Sequence, residues 1–372
     1  MKKTMSFTSA FAMGLAALAI AFSSTTASAQ TKTWTRGAGA SNLNWSTAGN
    51  WSPSGAPSTA GTQVTFSSAG SAPGIINITG SSVRLGNSTV QGGSYNFAAG
   101  TLFFGGATLT NNGTTNINNL AINSGNILTV AGSGVTTINN LTSSSNVSGG
   151  TLLVKGQVNW NGSMGNNTGV EVGVGGTLTL GGAYINTATT LTNTGGVLKG
   201  KGDGSSFFTT VTDGFVMQND GGGATPTTTL FIGDATNFDK VISEDVNGTP
   251  SGVTFAGDLN VDLGLLTSAL PNNAQFPLFS FDPAAKIGSF TSVNLANVSG
   301  GPYDGLSFAD QGGGVWQTGV ATNGQYMVFD ENTGYLVVVP EPSTIAFAGI
   351  GIGMAGWSAW KKRRLAKVLA KN

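Results

Sequence analysis

The residues able to do chemistry are few, and two types are missing altogether. The chain has no His and no Cys among its 372 residues. That removes a thiol nucleophile, an imidazole base, a Cys zinc site, a His metal ligand and any disulfide. Carboxylates remain. Asp234, Asp239, Glu244, Asp245, Asp258 and Asp262 fall in one stretch, where two at a set separation would make a glycosidase pair and several would make a calcium site. Asp245-Val-Asn-Gly248 is a fragment of a calcium-loop pattern without the rest, and such strings are common wherever turns are common. Between Gly100 and Gly200 the only charges are Lys155, Glu171 and Lys199, too sparse for paired carboxylates. The sequence therefore predicts no catalytic residue, no cofactor and no metal: the protein is expected not to be an enzyme. Trp34, Trp45 and Trp51 form a tight group. Together with Trp160 they are the candidates for stacking on sugar rings. The favoured alternative is that the first three plug the open end of a repeat array, because terminal repeats need a cap.

Charge divides the chain. Residues 30 to 170 contain no acid and carry Lys32, Arg36, Arg84 and Lys155, so their net charge is +4. Residues 171 to 339 carry 15 acids against 4 Lys, a net −11. No basic stripe exists to neutralise phosphates, so nucleic acid is not expected as a partner.

Both ends read as addresses. Lys2 and Lys3 precede an apolar run from Phe11 to Phe22, and Ala27-Ser28-Ala29 follows. This is the tripartite pattern of a secretory signal with cleavage set by Ala27 and Ala29, giving residues 1–29 as signal peptide. At the other end Val339-Pro340-Glu341-Pro342 leads into Ile345 to Trp360, which has no charge, and then Lys361, Lys362, Arg363 and Arg364. Counted from Ser343 the uncharged stretch makes a helix of about 27 Å, barely enough to span a bilayer. The basic cluster would stay cytoplasmic.

The order of motif, short apolar segment and basic cluster resembles the PEP-CTERM sorting signal of Gram-negative bacteria. The resemblance implies a membrane transpeptidase, exosortase, as partner. It also implies export, transient anchoring in the inner membrane, and delivery to the envelope or the extracellular polysaccharide matrix.

The elements between these ends are short and β-like. Gly is 58 of 372 residues, and apolar runs of three to five residues alternate with polar ones, which is a strand period. Gly100-Thr-Leu-Phe-Phe, Gly125-Asn-Ile-Leu-Thr-Val, Gly150-Thr-Leu-Leu-Val and Gly176-Thr-Leu-Thr-Leu recur at spacings of 25, 25 and 26. Ile117-Asn-Asn-Leu120 recurs as Ile138-Asn-Asn-Leu141. Self-similarity at 20 to 30 residues marks a solenoid. The expected fold is all-β: a parallel β-helix in the N-terminal half, a β-sandwich-like C-terminal region and one C-terminal transmembrane helix. A Greek-key sandwich is the alternative. Phrases such as Gly149 to Val154 and Gly175 to Leu180 resemble autotransporter-associated β-strand repeats, which implies a β-helical stalk. The expected divisions are 30–95 (Trp-rich cap), 96–204 (β-helix repeats), 205–338 (acidic β region) and 339–372 (sorting signal). Asn118 and Asn139 would either form a side-chain ladder or face solvent. The function expected is that of an exported structural or surface protein. A carbohydrate-binding or adhesive module is the alternative, and a glycan-active enzyme comes third.

Overall fold

A computed structural model describes residues 31–35, 44–57, 62–66, 74–77, 83–143, 150–161, 168–181, 184–204, 207–298 and 300–341. The expected signal peptide, the motif from Pro342 onward, the apolar segment and the basic cluster Lys361, Lys362, Arg363 and Arg364 lie outside the described residues. Among those described, the chain is strand and turn with two three-residue 3-10 turns, Ala48–Asn50 and Pro283–Ala285. No described helix is long and apolar enough to cross a membrane.

The strands coil into two long parallel sheets. One holds 14 described strands and the other 12, with a separate five-stranded antiparallel sheet at the C-terminal end. From Ala107–Asn111 to Lys240–Ser243 successive strands alternate between the two long sheets, so each turn of the coil there adds one strand to each. Strand Thr114–Ile122 pairs with Val135–Ser143, and Ile117 sits beside Ile138, Asn119 beside Asn140 and Leu120 beside Leu141. On the opposite sheet Ile127–Ala131 pairs with Thr151–Val154, setting Leu128 beside Leu152.

Stacking of like residues builds the core. Ala107, Leu128, Leu152, Val170, Leu191, Phe215 and Val253 follow one another up the first sheet. Ile76, Phe97, Ile117, Ile138, Trp160 and Leu180 do so up the second. All of these are buried. Strand alternation turns the neighbouring residues outward. The second sheet thus presents an outward column of Asn96, Asn116, Thr137, Asn159, Thr179, Lys199, Thr229, Asn260 and Asn294. The Asn ladder forms: the Asn139 amide donates to Asn118 Oδ1 at 2.8 Å and to Asn116 Oδ1 at 3.2 Å. Asn294 likewise donates to Asn260 at 3.2 Å.

Two expectations change. The Gly-Thr-Leu phrase does not mark one face. The strands after Gly125 and Gly150 lie on the first sheet, whereas those after Gly100 and Gly176 lie on the second. Strands of either sheet need the same preceding turn, so the phrase recurs out of step with the coil. The Ile-Asn-Asn-Leu echo is the true turn-to-turn repeat. Second, the parallel ladder does not stop near residue 204. Leu198 pairs with Thr228, Thr228 with Leu259 and Leu259 with Val293. The expected sandwich-like region is instead more solenoid, with steps of 30 residues or more, followed by the antiparallel sheet. Longer corner loops hide the period there.

That antiparallel sheet runs in the order Gln275–Pro277, Tyr335–Pro340, Gln325–Asp330, Val315–Thr318, Phe308–Gly312. Strand Gln275–Pro277 leaves the coil to join it, and Phe279–Ser280 returns to the first parallel sheet. Phe255, Phe279, Phe290 and Phe329 fill the join, with Phe255 stacked on Phe290 at 4.5 Å. Buried Glu331 pins it: Oε1 accepts from the Phe290 N–H at 3.1 Å and from Trp316 Nε1 at 2.7 Å. Lys286 Nζ stands 3.6 Å from the other oxygen.

The columns make a stability prediction. Ile138 is fully buried between Ile117 and Trp160, so Ile138→Ala should cost about 2–5 kcal/mol. Thr137→Ala, on the outward face next to it, should cost under about 1 kcal/mol. Urea unfolding of the two variants checks this, and equal losses would refute the inward column.

Candidate functional site

The N-terminal tryptophans sit at the first turn of the coil. Thr31–Trp34 pairs in parallel with Gln63–Phe66, while Trp51–Ser52 closes the outer edge in the antiparallel sense. Trp34, Trp45 and Trp51 are 2%, 4% and 3% exposed. Trp51 meets Trp34 edge-on at 4.9 Å and Trp45 at 4.6 Å, and Phe66 packs below. Trp51 Nε1 donates to the Trp45 carbonyl at 2.8 Å and Trp45 Nε1 to the Pro57 carbonyl at 3.3 Å. The glycan-stacking role considered for Trp34, Trp45 and Trp51 is therefore corrected: their faces are covered by one another, so no sugar ring can lie on them. Trp160 is buried as well.

The carboxylates of the acidic stretch hold corners rather than converge. Asp234 accepts from the Thr236 and Asn237 backbone N–H groups, from the Thr236 hydroxyl and from the Asn237 amide. These bonds, that of the Asn237 side chain first, hold its carboxyl well below the usual range. Asp245 Oδ1 accepts from the Asn247 and Thr249 N–H groups, closing a turn with Gly248 at φ 74°. The calcium-like fragment is thus a hairpin turn. Asp262 is buried and accepts from the Gly264 N–H at 2.8 Å and from the Asn297 amide. Asp258 accepts from the Ser292 hydroxyl at 2.7 Å. Among the described residues no group of three or more acids gathers as a metal site would need.

Asp239 is the exception in its environment. It is buried, and its two oxygens accept from the Phe208 N–H at 2.8 Å and the Phe231 N–H at 2.9 Å. Gly200 makes room for it, since a Cβ there would run into the carboxylate. Sequence reading named Asp239 only as one acid among six, because its partners come from backbone in neighbouring turns.

Three successive long corners, after Val197–Gly200, Thr227–Phe231 and Asp258–Asp262, meet beside it. They enclose a cleft of about 590 Å³ lined by Phe207, Phe238 and Leu265, with Asp234, Asn237 and Lys240. Phe207 lies against Gly233, where any side chain would displace its ring. No linear pattern announces this cleft, since the loops that form it are 30 or more residues apart.

At the far end, Tyr335–Pro340 is the last described strand. It lies between Gln275–Pro277 and Gln325–Asp330. Its pairing with Gln325–Asp330 continues to its last residue, Tyr326 beside Val339 and Gln325 beside Pro340. The Glu341 N–H then donates to the Gly324 carbonyl at 2.7 Å. On the other side pairing stops earlier: Asn273 N–H donates to the Val338 carbonyl at 2.8 Å and Val338 N–H to the Ala274 carbonyl at 2.9 Å. Val339 and Pro340 of the expected motif are therefore part of a sheet, and Glu341 is bonded just beyond its end.

An all-β coil whose last strand runs into a C-terminal signal is what the fold and this end define. A family model described as the PEP-CTERM protein-sorting motif matches residues 338–364. The chain carries that motif, which supports an exported, envelope-associated protein processed by exosortase, a membrane enzyme. No curated protein and no solved structure matches the chain.

Burial, more than the repulsion of Asp262, pushes the Asp239 carboxyl up to about 7 against the pull of its two N–H donors. In the unfolded chain such a group loses its proton at about pH 4. Between about pH 4 and about pH 7 the folded state thus binds more protons. This group's contribution is fully present below that window and is lost as pH rises through it. Asp239→Asn should remove this slope, seen as urea midpoints at about pH 4.5 and about pH 7.5 that lie closer together than in the wild type. An unchanged separation would refute the assignment.

Proposed function

We propose that this is an exported, non-enzymatic structural protein of the cell envelope or its polysaccharide matrix, delivered by its C-terminal signal. The outward column of Asn and Thr from Asn96 to Asn294 carries this reading. It repeats at the strand spacing of about 4.8 Å and offers amides and hydroxyls to a hydrated polymer over the length of the coil. The acids support a structural role, since Asp234, Asp239, Asp245 and Asp262 each spend at least one oxygen on a backbone N–H group. In this reading residues 1–29 are removed on export and Ile345 to Trp360 anchors the precursor in the inner membrane. Lys361, Lys362, Arg363 and Arg364 then remain on the cytoplasmic side. The likeness of the Gly-Gly-Thr-Leu phrases to autotransporter-associated repeats accords with a stalk.

Mass spectrometry of the protein from native envelope and medium tests the delivery. Wild type should start at Gln30 and end near Val339, and replacement of Pro340, Glu341 and Pro342 by Ala should abolish the shortened product. A C-terminus reaching Asn372 in both strains would sink the proposal.

The cleft at Phe207 and Phe238 favours a second reading, carbohydrate binding. Its volume is that of a small-ligand site. Its phenyl rings suit the apolar face of a sugar, and Asn237 and Lys240 suit hydroxyl or carboxylate groups. Titration with oligosaccharides cut from the matrix polysaccharide should show binding that Phe238→Ala weakens at least about tenfold, a loss of about 1.4 kcal/mol. Equal affinity in the variant would discard this reading.

A further inference from the structure

The sorting motif is not hung on a linker. It starts inside the last strand of the folded domain, and its first three residues are held there unequally. Val338 has a strand on either side: its N–H and carbonyl are bonded to Ala274 and Asn273, and Met327 stands beside it across the other edge. From Val339 on, only Gln325–Asp330 and the turn before it hold the strand, ending in the Glu341 to Gly324 bond. The bonds of Val338 face Gln275–Pro277 and that of Glu341 faces Gly324. Alternation therefore turns the Pro340 nitrogen toward the side where, among the described residues, no strand extends. A proline fits there without losing a ladder bond, as at any sheet edge.

Beyond Glu341 there is no slack. Only Pro342, Ser343 and Thr344 separate it from the apolar segment that begins at Ile345. Three extended residues reach about 10 Å. If the segment is in the bilayer, the end of the sheet lies at the membrane surface, and Pro340 and Glu341 cannot swing away while they stay paired.

We propose that the fold withholds the sorting motif, and that peeling of Val339 to Glu341 from Tyr326, Gln325 and Gly324 is the step that admits the processing enzyme. This rests on the sorting reading above. The strand end is suited to open locally: it has one neighbour instead of two, and Glu341 is exposed. Such ends open at a small fraction of the global unfolding free energy. Opening this end leaves Val338, which has a strand on either side, and everything before it in place, so the domain need not unfold to be processed.

The test locks the strand. Tyr326 and Val339 are direct cross-strand partners. Partners that exchange backbone bonds stand about 5.5 Å apart at Cα, within disulfide reach. The chain has no cysteine of its own. The full chain bearing Tyr326→Cys and Val339→Cys is expressed in its native host and followed by pulse-chase and intact mass. The oxidised form should be shortened at least about tenfold more slowly than wild type, and reductant added to isolated membranes should restore the rate. Each single Cys variant should process as wild type does. Conversely, four Gly/Ser residues inserted between Val338 and Val339 should speed processing several-fold. A locked chain shortened at the wild-type rate, or an insertion without effect, overturns the gate and leaves the sorting reading intact. A wild-type chain that is never shortened overturns both.

Discussion

In-register stacking of parallel strands is the constraint on which everything else in the molecule depends. A parallel strand satisfies its backbone groups only through the strand above and the strand below, and it sets the same side-chain position over itself at each turn. A residue type that works once must therefore work repeatedly. The inward columns answer with Leu, Val, Ile and Phe, and the outward column of the second sheet answers with Asn and Thr. Where two amides stack, each can serve as donor to the next, so Asn139 bonds Asn116 and Asn118 instead of competing with the backbone.

The same constraint makes the two ends costly. A terminal strand leaves half its backbone groups unmet and invites another chain to pair with them. The N-terminal end is closed by an antiparallel strand and a buried cluster of Trp34, Trp45 and Trp51. The C-terminal end is closed by a second sheet of opposite character, joined through Phe255, Phe290 and Phe329 and through Glu331. Glu331 is an acid placed deep in an aromatic join. It is tolerated because it meets two N–H donors from different elements, with Lys286 nearby. Removing its carboxylate would strand both donors, a far greater loss than the bonds alone contribute.

Some of this was legible in the sequence. The Ile-Asn-Asn-Leu echo gives the turn length directly, because Ile117 and Ile138 share one column. The Gly-Thr-Leu phrase misled, because it encodes a turn followed by a strand, and both sheets demand that. The coil beyond residue 204 was not legible, because its steps grow from about 20 residues to over 30, and loop residues carry no period. Asp239 shows the limit most sharply. Its partners are backbone N–H groups of Phe208 and Phe231, and no side-chain pattern announces a backbone donor. The sorting motif was legible because it is linear: type and order suffice, and no fold is needed to bring its parts together.

What linear reading misses about that motif is where the fold stops. Val339 and Pro340 are at once the end of a strand and the start of a signal. Sheet and signal impose different demands on the same residues. A strand wants alternate N–H groups bonded, while a signal read by an enzyme wants its backbone free. Proline reconciles them at one position, since it has no N–H to lose and its nitrogen faces the open side. Glutamate cannot reconcile them, and its N–H is bonded to Gly324. Within Pro340 and Glu341 the conflict is therefore confined to one backbone bond at the exposed tip of a sheet, where opening is least costly. A Pro-Glu-Pro placed two residues earlier would put proline at Val338, whose N–H is bonded to Ala274 and which has a strand on either side, and exposing it would mean dismantling the sheet that closes the coil.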